Sequence, residues 1–285
     1  MLGKMSATRF IARRLTLSGN QRTFSHVIIR IAIASVALSV AVMIIASAMI
    51  TGFKREISQK IFDFWGHIQI TDAFTNPILE TRPIALDQVL MDSLSSIDQI
   101  TYESPLEWGS ISVWPHRLRD TRGGVRHAYP YIQYPAILST GDDMEGILLK
   151  GLSEQGPADF FSRYLVDGHG IASGDQKRLL IISQMTADRM HLKTGDVVIL
   201  HFVSEGRPVP RRFEVAGIYK TGLAEYDRRV AFLDLRHLQE ILGWQDDQVS
   251  GVEVVLDDIN DLEVIDAYIY QEVLPVDRYT PVSYT

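Results

Sequence analysis

The stretch around residue 168 has the residue types of a nucleotide-binding loop, but it lacks the required spacing. Gly168, His169 and Gly170 are followed by Gly174, so the third glycine comes one residue later than in the dinucleotide fingerprint G-x-G-x-x-G. The preceding residues, 164–167, do not have the pattern of the buried strand that this fingerprint needs. The motifs G-x-x-x-x-G-K-[ST], G-x-S-x-G and H-E-x-x-H are absent from the sequence. We predict a loop here.

Other ionisable residues have the chemistry of metal ligands or of acid/base groups. Two aspartate–histidine pairs could ligate a metal: Asp167 with His169, and Asp188 with His191. Four carboxylates could form an acid/base cluster: Glu225, Asp227, Asp246 and Asp247. Pairs on polar segments are usually solvated, and no pattern brings two of the four carboxylates together around a pocket. The sequence has no cysteine, which excludes a thiolate metal site and a cysteine nucleophile. We therefore predict no catalytic residue, no cofactor and no metal.

The charges are distributed unevenly along the chain. Residues 1–50 contain six basic residues and no acidic residue: Lys4, Arg9, Arg13, Arg14, Arg22 and Arg30. The other 235 residues hold 22 basic and 35 acidic residues, a net charge of −13. An acidic body repels a phosphate backbone, so nucleic acid is excluded as a partner. A basic leader before an acidic body indicates membrane topology instead.

Residues 31–50 form an uninterrupted apolar run without a charge. Twenty residues in a helix span roughly 30 Å, the hydrocarbon thickness of a bilayer, so we predict a transmembrane helix here. The excess of basic residues before it places residues 1–30 in the cytoplasm and the body on the other side. A cleaved signal peptide is the alternative, because Ala46, Ser47 and Ala48 fit the small-x-small cleavage pattern. The length of the basic region and of the apolar run argue against cleavage.

Two further features belong to the membrane part of the chain. The segment 1–30 is amphipathic, and its residues 10–17 are predicted to form a helix whose arginines face lipid phosphates. Small residues recur at helical spacing in the span: Ser35 with Ser39, and Ala37 with Ala41. These residues could let another helix approach closely. Alternatively, alanine and serine are simply common in membrane helices.

The helix is predicted to continue beyond the span as a stalk, residues 51–65, and to end at Gly66. One apolar stripe runs along this stalk: Phe53, Ile57, Ile61 and Phe64. The stripe has two interpretations. It packs on the core of its own domain or on lipid headgroups, or it meets the equivalent stalk of a second subunit.

The body, residues 66–280, is predicted to be α+β in two mixed lobes that divide near residue 175. Predicted helices cover residues 87–97, 158–164, 235–242 and 262–272, and another begins at Ser183, its N-cap. Predicted strands cover residues 67–71, 109–114, 124–131, 136–139, 146–149, 179–182, 197–203, 213–219, 229–233 and 252–256. Residues 204–210 are predicted to be a short loop.

Three segments resemble a known family. The first is FIARRLTL at 10–17, followed by the span and by TGFKREI at 51–57. The second, 183–196, has a serine, an alanine, a leucine and a Gly-Asp turn at the spacing of a helix that closes before a strand. The third is FEVAGIYKTGLAEYD at 213–227, followed by VSGVEV at 249–254. In this order the segments resemble the FtsX/MacB-like permease superfamily of ABC transporters, and most of all the lipoprotein-releasing permeases LolC and LolE.

The resemblance implies a membrane-anchored α+β protein in which one N-terminal transmembrane helix with a continuous stalk precedes a two-lobed MacB-like periplasmic domain. It implies the bacterial inner membrane, with the N-terminus in the cytoplasm. The implied partners are a cytoplasmic ABC ATPase, a second permease subunit in a homo- or heterodimer, membrane lipid, and a lipoprotein or other amphiphilic substrate. The implied function is to couple ATP hydrolysis to periplasmic domain motion, for lipoprotein release.

The sequence departs from that family in two places. Such permeases have three further membrane helices after the periplasmic domain, so we expect an N-terminal fragment in which residues 281–285 are non-native. LolC-type subunits carry a longer hook at the position of residues 204–210 that recruits a periplasmic carrier, so the short loop argues against carrier docking. A MacB-like efflux subunit, an FtsX-like signalling subunit and a single-pass periplasmic sensor or adaptor are the alternatives.

Overall fold

The computed structural model of the chain describes most of it in two compact units, Met1–Ser58 and Gln59–Thr285. The described residues are 24–72, 82–108, 111–141, 143–153, 156, 158–171, 177–204, 207–274 and 279–283. The amphipathic helix predicted at residues 10–17 lies outside them. The second unit begins at Gln59, because the last turns of the predicted stalk, unlike its beginning, pack into the domain.

A single helix, α1 (Phe24–Trp65), contains both the predicted span and the predicted stalk. Among the described residues it is the one helix with the length and apolar composition of a membrane span, and none of its most apolar stretch is buried. Forty-two residues correspond to roughly 63 Å of helix, about twice the hydrocarbon thickness of a bilayer. Gly66 ends the helix as predicted, with a left-handed φ of +69° and its N–H bonded to the Phe62 carbonyl at 2.8 Å.

Strands of the second unit form one large sheet and two small ones. The strands in the described residues are β1 (Ile68–Asp72), β2 (Ile84–Ala85), β3 (Thr101–Trp108), β4 (Ile111–Asp120), β5 (Val125–Ser139), β6 (Met144–Leu152), β7 (Leu165–Gly168), β8 (Leu179–Ser183), β9 (Val197–Ser204), β10 (Arg207–Tyr219), β11 (Val230–Asp234), β12 (Gln248–Val249), β13 (Gly251–Leu256) and β14 (Tyr279–Ser283). The large sheet has the order β14–β1–β13–β5–β6–β11–β8–β10–β7. Strand β2 pairs with β12, and β3 pairs with β4.

The large sheet closes on itself in part. Strand β9 pairs with both β10 and β5, so β5, β6, β11, β8, β10 and β9 form a ring of six strands. The pairs β6–β11 and β8–β10 are parallel, and the remaining pairs are antiparallel. Strands from both sides of residue 175 therefore pair directly, so the predicted boundary there does not divide the sheet. The two-lobed arrangement stays a prediction.

Short helices flank the sheet. They are α2 (Gln88–Ser95), α3 (Ala158–Tyr164), α4 (Gln184–Met190), α5 (Ala224–Asp227), α6 (Leu235–Leu242) and α7 (Leu262–Tyr268), which is followed by a π-helical turn, Ile269–Val273. Helices α2, α4 and α6 begin at a side chain that caps the helix. The Asp87 side chain accepts a bond from the second residue of α2 at 2.9 Å. The predicted N-cap Ser183 does the same for Thr186 at 3.0 Å. The α+β content is thus confirmed.

The central strands are buried on both faces, which makes them apolar almost throughout. In β8, Ile182 lies in the larger core cluster, whereas its neighbour Ile181 lies in a smaller, aromatic one. In β11, Leu233 and Phe232 divide in the same way. The aromatic cluster also contains Phe64 of α1, so the end of that helix covers one face of the sheet.

Three element predictions are corrected by the structure. Residues 124–131 and 136–139 were predicted as two strands, but they belong to the single strand β5, which pairs first with β13 and then with β6. Most of the predicted loop 204–210 is strand instead, because β9 extends to Ser204 and β10 begins at Arg207. Strand β7 was predicted as loop, since it is only four residues long and three of them are exposed at the sheet edge.

Candidate functional site at the end of helix α1

The most unusual chemistry in the described residues is a buried ion pair between neighbouring parts of the sheet. Lys150 lies on β6 and Glu253 on β13, with β5 between the two strands. Both side chains are 0% exposed. The Lys150 Nζ atom is 2.7 Å from Glu253 Oε1 and 2.9 Å from Oε2, so the ammonium spans both carboxylate oxygens. Charged side chains are almost never fully buried unless they are paired in this way.

The lysine also binds the last turn of α1. Its Nζ donates to the Phe64 carbonyl oxygen at 2.5 Å. The final carbonyls of a helix have no partner within the helix and carry the negative end of its dipole, so a cation is the favoured partner. The same Nζ lies 4.8 Å from the centre of the Trp65 ring and 5.9 Å from that of Tyr131. These are cation–π distances, and they add to the hold on the ammonium.

A glutamine completes the bond network. Gln69 on β1 is paired in register with Glu253 on β13. Its Nε2 donates to Glu253 Oε1 at 2.9 Å and to the Trp65 carbonyl at 3.3 Å. Tyr129 on β5 adds a side-chain bond to the same carboxylate. Helix end and sheet are therefore joined by Lys150 and Gln69, both of which are anchored to one carboxylate.

Burial shifts the pKa values of the three ionisable residues in this network. It lowers the pKa of Lys150 and raises the pKa of Glu253, and the attraction between the two opposes both shifts. Burial, followed by the nearby Glu253 charge, raises the pKa of Tyr129 well above its usual value, so its hydroxyl keeps the proton that it donates. The two short contacts to both carboxylate oxygens fit an ion pair that titrates as a unit.

Aromatic rings surround the same helix end. Phe64 is 2% exposed, and four ring centres lie within about 6 Å of its own. These rings belong to Trp65 at 4.9 Å, Tyr226 at 5.1 Å, Phe232 at 5.3 Å and Phe160 at 5.6 Å. Edge and tilted contacts at these distances stabilise more than their area alone. The last turn of α1 is therefore packed as a core element.

Helix α3 holds the outer side of this turn. Arg163 Nη1 lies 2.8 Å from Asp63 Oδ2, and the Tyr164 hydroxyl donates to the same oxygen at 2.9 Å. The neighbouring His67 stacks on Phe62 with 4.7 Å between ring centres, and its Nδ1 accepts the Leu256 N–H at 3.1 Å. Burial, followed by the charge of Arg126, lowers the pKa of His67 to about 4, so the ring is neutral at pH 7.

The predicted stalk stripe has different surroundings along its length. Phe64 is buried, Ile61 packs partly against the aromatic cluster, Ile57 is half-buried and Phe53 is 68% exposed. The inner half of the stripe thus belongs to the domain core, which is one of the two interpretations. The interface with a second stalk stays a prediction, and Phe53 is the member most available for it. In the span, all four small residues are exposed: Ser35, Ala37, Ser39 and Ala41.

Two of the residues singled out for metal or acid/base chemistry, Asp227 and Asp167, accept structural hydrogen bonds. Thr221 and Gly222 donate to the Asp227 carboxylate, with bonds of 2.7 and 3.0 Å, and thereby fix the turn before α5. Asp167 accepts the Thr194 hydroxyl at 2.7 Å. Gly168 and Gly217 are register partners in β7 and β10, and a Cβ on Gly217 would lie 2.6 Å from the His169 carbonyl oxygen. Across the described part of the chain, no three metal-ligating side chains come together.

Sequence reasoning did not identify the network that joins the end of α1 to the sheet. Glu253 appears in that reasoning only as part of a motif, and neither Lys150 nor Gln69 was singled out. A signal was present, since ILLKGL and GVEVVL each hold one charge inside an apolar run. A charge inside an apolar run needs a partner if the run becomes buried, and these two charges have opposite signs.

A known protein family and several known proteins match most of the chain. The family described as the MacB-like periplasmic core domain matches residues 31–271. The lipoprotein-releasing system transmembrane protein LolE of Haemophilus influenzae is 22% identical over 261 residues, which cover 89% of this chain and 56% of LolE. LolC of Neisseria meningitidis serogroup B is 22% identical over 283 residues, which cover 94% of this chain and 58% of LolC. The chain thus spans little more than half the length of these curated relatives.

Two solved structures resemble the fold at lower identity. The extracellular domain of the ABC-type transporter YknZ from Gram-positive bacteria is 14% identical, with a TM-score of 0.44, and the match covers 76% of this chain and 99% of that domain. The periplasmic region of MacB from Actinobacillus actinomycetemcomitans is 13% identical, with a TM-score of 0.45, and the match covers 76% of this chain and 87% of that region.

Proposed function

The chain belongs to the family of the MacB-like periplasmic core domain, and we propose that it is part of a permease subunit of an ABC transporter. In this proposal a cytoplasmic ATPase on a separate chain hydrolyses ATP and moves the membrane helices. Helix α1 carries that movement to the domain in the periplasm. The chain itself performs no catalysis.

One observation carries this proposal: α1 is a single helix that begins as an apolar span and ends in the domain core at Lys150. An anchor needs only the apolar span. It does not need a buried cation on its last turn or an aromatic cluster around it. A helix whose last turn is held in the domain core suits the transmission of force, since a flexible linker would absorb the motion.

We propose lipoprotein release from the inner membrane as the transport reaction. LolE and LolC, the relatives that support it, are named for a lipoprotein-releasing system and align with at least 89% of the chain. The family match to MacB favours a second candidate, a MacB-like efflux subunit or an FtsX-like signalling subunit. Both candidates place the N-terminus in the cytoplasm and require a second permease subunit.

The function is tested by purifying the full-length protein from its native membranes with an affinity tag. We expect an ABC ATPase to co-purify in a fixed ratio. In spheroplasts depleted of the protein, we expect ATP-dependent release of palmitate-labelled lipoprotein to fall. Unchanged release together with a bound ATPase would favour the efflux or signalling candidate. No ATPase in any preparation would contradict the permease proposal itself.

We further propose that the outer stalk lies against a second subunit, with Phe53 as its most exposed apolar residue. The native chain has no cysteine, so single cysteines can be introduced without background. Phe53→Cys should give disulfide-linked dimers in membranes, and the buried Phe64→Cys should not. We also propose that a pair of small residues in the predicted span, Ser35 with Ser39 or Ala37 with Ala41, packs against another membrane helix. Equal crosslinking at positions 53 and 64 would contradict the proposed contact between the outer stalk and a second subunit.

A further inference from the structure

We propose that Lys150 is the positioning residue that locks the last turn of α1 to the sheet across Gly66, so that movement of the helix passes into the domain. The importance of this lock rests on the proposed function, because a lock matters only where the helix moves. The geometry of the lock is independent of any ATPase.

Gly66 is the point at which the helix would otherwise swivel. Its φ of +69° ends α1, and β1 begins two residues later at Ile68. Glycine has the widest conformational freedom of any residue, so a helix joined to a strand through it can change direction easily. The Phe64 carbonyl precedes Gly66, whereas β6 and β13 follow it in the chain. A bond from Lys150 to that carbonyl therefore bridges the swivel.

The ammonium is suited to this task because all of its donors are used. A lysine ammonium has three N–H donors, and Lys150 directs them to the Phe64 carbonyl and to both oxygens of Glu253. No donor remains for water, and the side chain is 0% exposed. The direction of the bond to the helix is thereby fixed by the carboxylate behind it. Among the described residues, Lys150 is the one buried cation.

The ion pair between Arg163 and Asp63 on this turn is the weaker of the two charged contacts. Arg163 and Asp63 have side chains that are 46% and 22% exposed, so water and salt screen their attraction. The Lys150 contact lies where screening is small. Of these two charged contacts, the buried one therefore has the greater part in fixing the helix end.

The test measures the freedom of the helix end directly. Nitroxide labels are placed at Gln59→Cys, on the last turns of α1, and at Val89→Cys, which is 68% exposed on α2. The otherwise cysteine-free chain is reconstituted in nanodiscs, and the distance distribution is measured by pulsed electron paramagnetic resonance. The unmodified site should give one narrow distance. In Lys150→Met combined with Glu253→Met, the distribution should broaden by more than about 5 Å, the pitch of one helical turn.

The paired substitution separates the lock from simple stability. It removes both charges together, so no charge is left buried without a counter-ion, and circular dichroism and the melting temperature show that the variant is folded. The pair Lys150→Gln with Glu253→Gln, whose amides can bond each other but cannot reach the helix as well, is the second variant if the methionine pair does not fold. The control is Arg178→Gln with Glu240→Gln, a surface pair that should leave the distribution narrow.

Each outcome decides a different point. Broadening in a folded variant supports the lock, whether or not an ATPase binds the full-length protein. A narrow distribution in a folded charge-free variant would overturn it, even if the ATPase co-purifies and the permease proposal stands. A narrow distribution in the control and a broad one in the variant would assign the effect to the helix end and not to loss of charge in general.

Discussion

Lys150 and Glu253 are charges held in a place that normally excludes charge. Removing two ions from water costs several kcal/mol each, and their attraction offsets this cost only with short contacts and satisfied hydrogen bonds. Both conditions are met here, since each carboxylate oxygen has a partner and the ammonium has three. The cost of burying the two charges is therefore roughly offset by their attraction. Losing one member of the pair should cost more stability than losing both.

This asymmetry gives a stability prediction for the isolated pair. Lys150→Met leaves the Glu253 carboxylate buried without its counter-ion and should lower the free energy of unfolding by about 3–5 kcal/mol. Adding Glu253→Met should recover part of this loss, because it removes the unpaired buried charge, whereas Gln69 and Tyr129 then lose their acceptor. Chemical denaturation of the three proteins measures both values. A double variant as unstable as the single one would show that the charges do more than compensate each other.

The neutral ring of His67 makes stability depend on pH. Its pKa is lowered from 6.5 to about 4 in the folded chain, so between these values only the unfolded chain takes up the proton. The contribution of His67 to the free energy of unfolding is therefore constant above pH 6.5. It falls by up to about 3 kcal/mol as the pH drops from 6.5 to 4. In His67→Asn the amide oxygen can replace Nδ1 as acceptor for Leu256 and does not titrate. Its unfolding free energy should fall less over this range; parallel curves would contradict the assignment.

At the scale of elements, the end of α1 is a core element and its middle is not. Phe64 is 2% exposed in the aromatic cluster, while Phe53, three turns earlier, is 68% exposed. Both residues belong to the same apolar stripe in sequence. The stripe is therefore one sequence pattern in two environments. Shortening a side chain at its two ends should change the stability of the domain by different amounts.

Matched alanine substitutions test this difference. Phe64→Ala should lower the free energy of unfolding of the domain by about 3–5 kcal/mol, because it opens a cavity among packed rings. Phe53→Ala should change it by less than about 0.5 kcal/mol, since the side chain touches little in the single chain. Thermal unfolding followed by near-ultraviolet circular dichroism measures both. A large loss of stability in Phe53→Ala would mean that this residue is buried by its own domain.

At the scale of the whole molecule, the asymmetry of charge predicts the orientation of the chain in a membrane. Reporter fusions at Gln21 and at Asp257 should lie in the cytoplasm and the periplasm respectively, because basic residues concentrate before the span. Alkaline phosphatase active only in the second fusion is the expected result. Activity in both or in neither would contradict a single span, and a mature chain beginning near Met49 would support signal-peptide cleavage.

Much of the architecture follows from local patterns in the sequence. The apolar run at 31–50, the glycine that ends α1 and the helices at 158–164 and 235–242 were all predictable, because length, capping and periodicity are properties of neighbouring residues. The resemblance to the permease family rested on the order of short motifs, and the family match confirms it. Strand β5 and the β9–β10 hairpin were misjudged, since strand length depends on partners that are distant in sequence.

What only the tertiary structure decided is where the charges meet. Lys150 and Glu253 are 103 residues apart, and Gln69 is 184 residues from the carboxylate that it binds. No periodicity connects them, because their contact depends on β13, β5 and β6 lying side by side. The sequence by itself determined that a long apolar helix leads into a mixed domain. The sheet order determined that this helix ends on a buried cation, since only pairing between distant strands brings that cation to its last turn.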